Sequence, residues 1–317
     1  MASDGASLGR RLREGDRSAA PAALNLIEDR SAGGRSSARA LLAEVSTAAM
    51  KGEAPAHLVG VTGPPGAGKS SLLSALVSAW RADGRTVAIL AVDPSSKRSG
   101  GSLLGDRARI DHEPGDDGVL IRSTAAGNRL GGLAPPTREA AEALAAAFDI
   151  VVVETVGVGQ SETDVEQVCD TLAVIVQPAS GDTLQFLKAG IMEVPDILVV
   201  TKADLGDVAL AARRDLAAAL RSLGRRETPV LAVSSLPPPT GIDELVAALD
   251  AHRASLDLPA VRTRQRRLAA LSEFVAEHGE ARLRSLGGRR EAERLLQQQA
   301  PGLSVTELTE VLEKNSA

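Results

Sequence analysis

Residues 57–82 run from six strand-like residues through a glycine-rich turn into a helix-length segment, and the turn reads Gly63-Pro-Pro-Gly-Ala-Gly68-Lys69-Ser70. The pattern is G-x-x-x-x-G-K-[ST], in the strand–turn–helix setting that gives it meaning. Glycines let the backbone curl until several N–H groups face one point. The helix that follows adds the partial positive charge of its N-terminus. Such a cradle holds an anion, and it needs a strand on one side and a helix on the other. The motif therefore commits the chain to a layered α/β fold. Only six lysines occur in 317 residues, so a chance match at the lysine position is rare.

The rest of the middle of the chain agrees. Apolar runs at 57–62, 86–92, 119–123, 150–155, 172–177, 197–201 and 230–234 alternate with helix-length stretches at 70–82, 137–148, 182–191, 207–223 and 242–253. Uniformly apolar strands separated by helices predict a mainly parallel sheet covered on both faces. The expected organisation is a phosphate-loop (P-loop) nucleoside-triphosphatase domain over 55–255, with helical extensions over 1–54 and 256–317. In the first extension Asp16 is a candidate cap for a helix over 17–28, and 31–37 reads as the turn before a second. The last segment interleaves nine arginines with Leu and Glu, and reads as helices broken at Gly287-Gly288 and Pro301. Mixed Arg/Glu helices are usually solvated faces; a partner-binding surface is the alternative.

Composition narrows the classes. A net charge of −5 excludes a protein whose affinity comes from neutralising many phosphates of a nucleic acid. No apolar run approaches the ~20 residues a membrane span needs, and no apolar core follows the N-terminal arginines. A cytoplasmic protein with no membrane partner is expected. One cysteine, Cys169, leaves no disulfide framework and no cysteine-based zinc site. The four histidines are isolated and read as structural or surface groups.

Gly63, Pro64, Pro65, Gly66, Ala67, Gly68, Lys69, Ser70 and Ser71 are the candidate phosphate-binding residues. Lys69 reaches the β- and γ-phosphates, and Ser70 offers a hydroxyl to Mg²⁺. The run 197–200 ends in Thr201-Lys202-Ala203-Asp204, which resembles the guanine motif N/T-K-x-D. A carboxylate there accepts from guanine N1–H and the 2-amino group, both absent from adenine. The Lys202 stem covers the base face. Ser234, Ser235 and Leu236 stand where a loop amide meets the guanine O6. GTP and GDP with Mg²⁺ are thus the expected ligands. Asp93 and Glu154 close two further strands, at the edge where open α/β sheets bind ligands. A lone strand-end acid often serves as a helix cap or surface charge; beside a P-loop these two become candidates. Glu154 and Asp106 are placed at Mg²⁺, directly or through water. Asp93 is placed at Mg²⁺ and as the group orienting the attacking water. Gly157 meets the γ-phosphate with its N–H. The glycine-rich loops 99–106 and 156–162 have the freedom to order around that phosphate and relax after its loss.

Taken together, 63–71, Val92-Asp-Pro-Ser-Ser96, 99–106, Glu154-Thr-Val-Gly-Val-Gly-Gln-Ser-Glu162 and 201–204 resemble the MeaB/ArgK-type GTPases. The human relative in that group is the methylmalonic aciduria type A protein. The resemblance implies a homodimeric GTPase that gates cofactor delivery to an adenosylcobalamin-dependent acyl-CoA mutase, with methylmalonyl-CoA mutase the expected client, and protects or reactivates it. It further implies a third switch with Gln177, Asp182 and Lys188 as coupling residues, and dimerisation through the C-terminal helices. A metal-delivering GTPase of the same superfamily is the alternative, though the His-rich stretch and Cys motifs of the nickel chaperones are absent. Two departures stand out: Thr201 replaces the commoner Asn, and Pro64 occupies the place of the second lysine of dimeric ParA-like relatives.

Overall fold

A computed structural model describes residues 4–93, 110–125, 135–155, 165–178 and 195–316. They fall into two units. One is Ala56–Ser255; the other is built from both ends of the chain, Met1–Pro55 with Leu256–Ala317.

The apolar runs of the first unit form β1 (His57–Thr62), β2 (Val87–Asp93), β3 (Val119–Ala125), β4 (Ile150–Thr155), β5 (Thr171–Val176), β6 (Ile197–Val200) and β7 (Val230–Ala232). All pair in parallel, in the order β3-β2-β4-β1-β5-β6-β7. The fold is an α/β P-loop fold with helical extensions, as expected. β1 sits between β4 and β5, which places its carboxyl end at the point where the strand order reverses. Ligands bind there in open parallel sheets. Every residue of β1, β4, β5 and β6 is buried, as expected of strands covered on both faces, and their polar residues lie near the strand ends.

In the second unit, α1 (Gly5–Arg13), α2 (Ala20–Glu28), α3 (Ala32–Val45) and α4 (Thr47–Met50) come from the N-terminus. The first unit contributes α5 (Lys69–Ala82), α6 (Pro135–Ala145), α7 (Asp207–Ser222) and α8 (Ile242–Ser255). The C-terminus adds α9 (Leu258–Ser285), interrupted at Gly279, then α10 (Arg289–Gln297) and α11 (Val305–Asn315). One sheet face packs Val59, Ile89, Val152, Ile175 and Val199 with Leu72, Leu76 and Trp80 of α5 and Leu245 and Leu249 of α8. A fully buried Leu contributes about 2 kcal/mol by area, so α5, the helix that opens on the P-loop, is firmly seated.

Several boundaries differ from expectation. Strands β6 and β7 stop at Val200 and Ala232, because Lys202 turns into the left-handed region (φ 55°) and Ser234 pairs backbone to backbone with Thr240. The helix expected over 182–191 lies outside the described residues. Residues 31–37 are not a turn: Ser31 caps α3 by accepting from Gly34 N at 3.0 Å. Helix α1 was not expected. A Cβ at Gly5 would lie 1.8 Å from Ser37 O, and one at Gly9 would lie 2.5 Å from Leu41 O. The two glycines thus let α1 lie against the α3 backbone while Leu8 and Leu12 bury beside them.

The arginines of the last segment are not only a solvated face. Arg266 forms a two-pronged pair with Glu53 (3.0 and 2.8 Å) and also donates to Pro301 O at 2.9 Å. Arg262, itself buried, donates to Ala54 O at 2.7 Å. Arg267 donates to Gln299 O at 2.9 Å. Guanidinium groups with fixed forks suit this stitching of loop carbonyls.

At the amino edge of the sheet, His57 Nε2 lies 2.8 Å from Thr171 Oγ1, which lies 2.8 Å from His252 Nδ1; His252 Nε2 is 3.3 Å from Asp196 Oδ1. The chain ties the starts of β1 and β5 to the end of α8. Burial lowers the His57 pKa from 6.5 to about 4. The unfolded chain therefore takes a proton near pH 6.5 that the folded chain refuses until about pH 4. Stability falls as pH drops through that window, by about 3 kcal/mol for this group, and is independent of it above the window. Denaturant titrations from pH 7 to 4 should show a shallower loss in His57→Gln than in the wild type; parallel profiles would remove His57 as the cause.

Candidate functional site

The P-loop connects the end of β1 to the start of α5. Gly63, Gly66 and Gly68 all have positive φ (152°, 77° and 86°), and Gly68 is the cap of α5. At Gly63 the need is absolute: a Cβ would sit 2.3 Å from the Ile175 carbonyl oxygen of β5. The loop is braced by Ala67 N donating to Pro64 O (3.2 Å) and Leu72 N to Gly68 O (2.9 Å). Lys69 is buried, and its Nζ donates to Gly63 O at 2.8 Å and Pro64 O at 3.2 Å. A buried ammonium requires such partners. Pro65, Gly66 and Ser71 are exposed, Pro64, Gly68 and Ser70 half-buried, and Ala67 is buried.

Glu154 is buried on β4, in register with Val61 of β1 and Ala91 of β2. The next residue, Thr155, donates its hydroxyl to Thr62 Oγ1 at 3.0 Å, tying the β4 end to the last residue of β1. Asp93 closes β2, the other neighbour of β4. The expectations for the carboxylate of Asp93, and for Asp106, Gly157, Asp182 and Lys188, lie outside the described residues.

On the other side of β1, beyond β5, lies the second half of the site. Thr201 is buried, and its hydroxyl donates to Ala67 O of the P-loop at 2.7 Å, with Val176 O at 3.3 Å. Thr201 is thus engaged in strapping the phosphate loop, which accounts for a short hydroxyl where Asn is commoner. Ala203 N donates to Val233 O (3.0 Å), joining the loop after β6 to the segment after β7. The Ser234 hydroxyl donates to Asp204 Oδ1 at 2.8 Å and accepts from Leu236 N at 3.3 Å. Asp204 itself is exposed, so its carboxylate is oriented yet open to a ligand. Ser234 N is bonded to Thr240 O. Among the described residues, Ser235 N is then the amide of 234–236 left for a ligand acceptor. Lys202 Nζ donates to Gln177 Oε1 at 2.6 Å.

Sequence reasoning placed 63–71, 201–204 and 234–236 in one site, and the sheet brings them to one edge. It did not foresee the side-chain roles of Ser234 toward Asp204 or of Thr62 toward Thr155. A hydroxyl beside a strand end was the available signal, but serine and threonine there are too common to stand out.

Ser70 and Glu154 supply oxygen donors on either side of the cradle, and such hard ligands suit Mg²⁺. A glycine loop at a helix N-terminus, a buried lysine and strand-end carboxylates define a P-loop nucleoside-triphosphatase. The family model "Methylmalonyl Co-A mutase-associated GTPase MeaB" matches residues 20–286. The chain is 39% identical over 256 residues to GTPase ArgK of Escherichia coli, covering 78% of this chain and 75% of that one. It is 38% identical over 225 residues to the mouse methylmalonic aciduria type A homolog, covering 68% of this chain and 54% of that protein. A Pyrococcus horikoshii relative, 45% identical over 195 residues, is matched over 59% of its length. Among solved structures, a LAO/AO transport system kinase superposes with a TM-score of 0.67 at 30% identity, over 98% of this chain and 96% of that one. HypB from Helicobacter pylori shares the fold at 19% identity and a TM-score of 0.50. The chain belongs to the MeaB family of GTPases.

The Thr201 strap is testable. Thr201→Val should raise the Kd for GDP roughly tenfold, about 1.4 kcal/mol, the upper range for one hydrogen bond, while Thr201→Ser should bind as the wild type does. Calorimetry reads both; equal affinity in Thr201→Val would show that the strap carries no binding energy.

Proposed function

We propose that this chain binds GTP, hydrolyses it to GDP and phosphate, and uses the cycle to gate cofactor delivery to an adenosylcobalamin-dependent acyl-CoA mutase and to protect or reactivate it. The observation that carries the nucleotide half of this reading is the sheet edge itself. A cationic phosphate cradle ends β1, and an oriented carboxylate follows β6. One strand lies between them, so they stand about 10 Å apart at the usual strand spacing. A guanine nucleotide has a matching anionic end and a hydrogen-donating base edge. Its N1–H and 2-amino group suit Asp204, whose Oδ1 is already held by Ser234.

Lys69 exchanges the carbonyls of Gly63 and Pro64 for β- and γ-phosphate oxygens, and the loop amides of 66–70 fix the phosphate chain. Ser70 and Glu154, with Asp93 and Asp106, would hold Mg²⁺, partly through water; the ion supplies neutralisation of phosphate charge. Asp93 orients the attacking water. Gly157 reports the γ-phosphate, and Gln177, Asp182 and Lys188 pass that state to the partner. Support for the mutase as partner comes from the family description, which names methylmalonyl-CoA mutase. Residues 1–54, 55–255 and 256–317 act as extension, GTPase domain and homodimerising arm, in the cytoplasm; no helix among the described residues is long and apolar enough to cross a membrane. Metal delivery is the competing role. Cys169 is buried among apolar residues, and burial pushes its thiol well above its ordinary pKa, the setting of a packed core cysteine.

Lys69→Ala should weaken GTP binding by roughly a hundredfold, through loss of a charge-assisted contact. Asp204→Asn should lower the preference for GTP over ATP. Wild-type protein loaded with a non-hydrolysable GTP analogue should co-purify with an acyl-CoA mutase, and in a separate assay with GTP its hydrolysis should be stimulated by that mutase. Unchanged GTP affinity in both variants overturns the site. Normal GTP binding without mutase association or stimulation overturns the escort role alone.

A further inference from the structure

Lys202 has an unusual backbone. Its φ of 55° and ψ of 43° place it in the left-handed region, which non-glycine residues rarely adopt. Only one other described non-glycine residue, Lys51, has a positive φ. That turn follows directly on β6 and precedes Asp204. The lysine's ammonium ends 2.6 Å from Gln177 Oε1. Gln177 is the residue immediately after β5, and β5 lies between the strand that feeds the P-loop and the strand that feeds Asp204. The Lys202 side chain therefore spans from the end of β6 to the end of β5, the strand that lies between the phosphate cradle and the base-reading carboxylate.

We propose that Gln177 is a positioning residue for nucleotide binding: its side-chain carbonyl anchors the Lys202 ammonium, so that the four-carbon stem is held as a fixed apolar platform for the purine face. The inference rests on the guanine-nucleotide reading of the site. Its physical basis is entropy. A lysine on an exposed edge has many rotamers, and ordering it on ligand binding costs entropy. A stem already anchored at both ends meets the base without that cost. The anchoring bond joins a charged donor to a neutral amide, the stronger kind of hydrogen bond. Because the platform meets the ring face and not its edge, it contributes equally to purines that differ only in edge groups.

The test uses the full chain and four proteins: wild type, Gln177→Ala, Gln177→Glu and Asp204→Asn, titrated with GDP and IDP by calorimetry and assayed for hydrolysis. Gln177→Ala should weaken GDP and IDP by the same factor, roughly three- to tenfold, with the loss falling on KM and not kcat. Gln177→Glu keeps an acceptor for Lys202, so it should restore affinity and add salt dependence as the contact becomes an ion pair. Asp204→Asn, by contrast, should change the ratio of GDP to IDP affinity. Wild-type affinity in Gln177→Ala, tighter binding in it, a changed GDP to IDP ratio, or no rescue by Gln177→Glu overturns the proposal. Failure of the wild type to bind GDP is a separate result that removes the nucleotide reading itself.

Discussion

An ammonium group carried out of water is the constraint from which the site follows. Lys69 is buried at the first position of its helix, and the loop bends far enough to present the Gly63 and Pro64 carbonyls to its ammonium. That bend needs glycine at Gly63, where the neighbouring strand leaves no room for a side chain. It also needs a helix firmly packed on the sheet, so that the lysine cannot swing away. Leu72, Leu76 and Trp80 supply that packing. A few core contacts thus hold a positive charge where a phosphate can replace two carbonyl oxygens as its partner.

The remaining parts are fixed to this loop by short polar links across strand ends. Thr155 reaches Thr62 on one side; Thr201 reaches Ala67 on the other, passing the end of β5. Ser234 then holds Asp204. Each link is a single hydrogen bond of about 1 kcal/mol, yet each joins elements that the parallel register has already aligned. The P-loop half and the Asp204 half of the candidate site are for this reason one structure. A shift of the P-loop moves Ala67 O, and Thr201 carries that shift toward the loop containing Asp204.

Much of this was legible in the sequence, for identifiable reasons. Strands of a covered parallel sheet are mostly apolar, with polar residues mainly near their ends, so all seven could be placed within a few residues. The glycine–lysine–serine run has a spacing that physics enforces, and so Gly63 to Ser71 needed no structure to be found. What escaped was of two kinds. Helix α1 depends on Gly5 and Gly9, residues that disfavour an isolated helix; only the close approach of α3 rewards them, and that partner lies about thirty residues away. The inward arginines escaped because Arg262 and Arg266 look like any others in a charged helix. Their partners, Glu53 and Ala54, are more than 200 residues distant. Local pattern shows which face of a helix is polar, but a polar face that finds a carboxylate far along the chain looks the same as one that meets water.

The joining of both chain ends in one unit has a consequence for how the protein is made. Glu53 leaves the ribosome 213 residues before Arg266. At ordinary rates of synthesis that is about ten to forty seconds. In that interval the whole of Ala56–Ser255 emerges and is free to collapse around its sheet, while Glu53 waits for its arginine. The sheet-bearing unit has therefore emerged in full before the other unit can be joined through Arg262 and Arg266. A nascent chain stalled late in synthesis would already carry a formed phosphate cradle, with Glu53 still lacking its guanidinium.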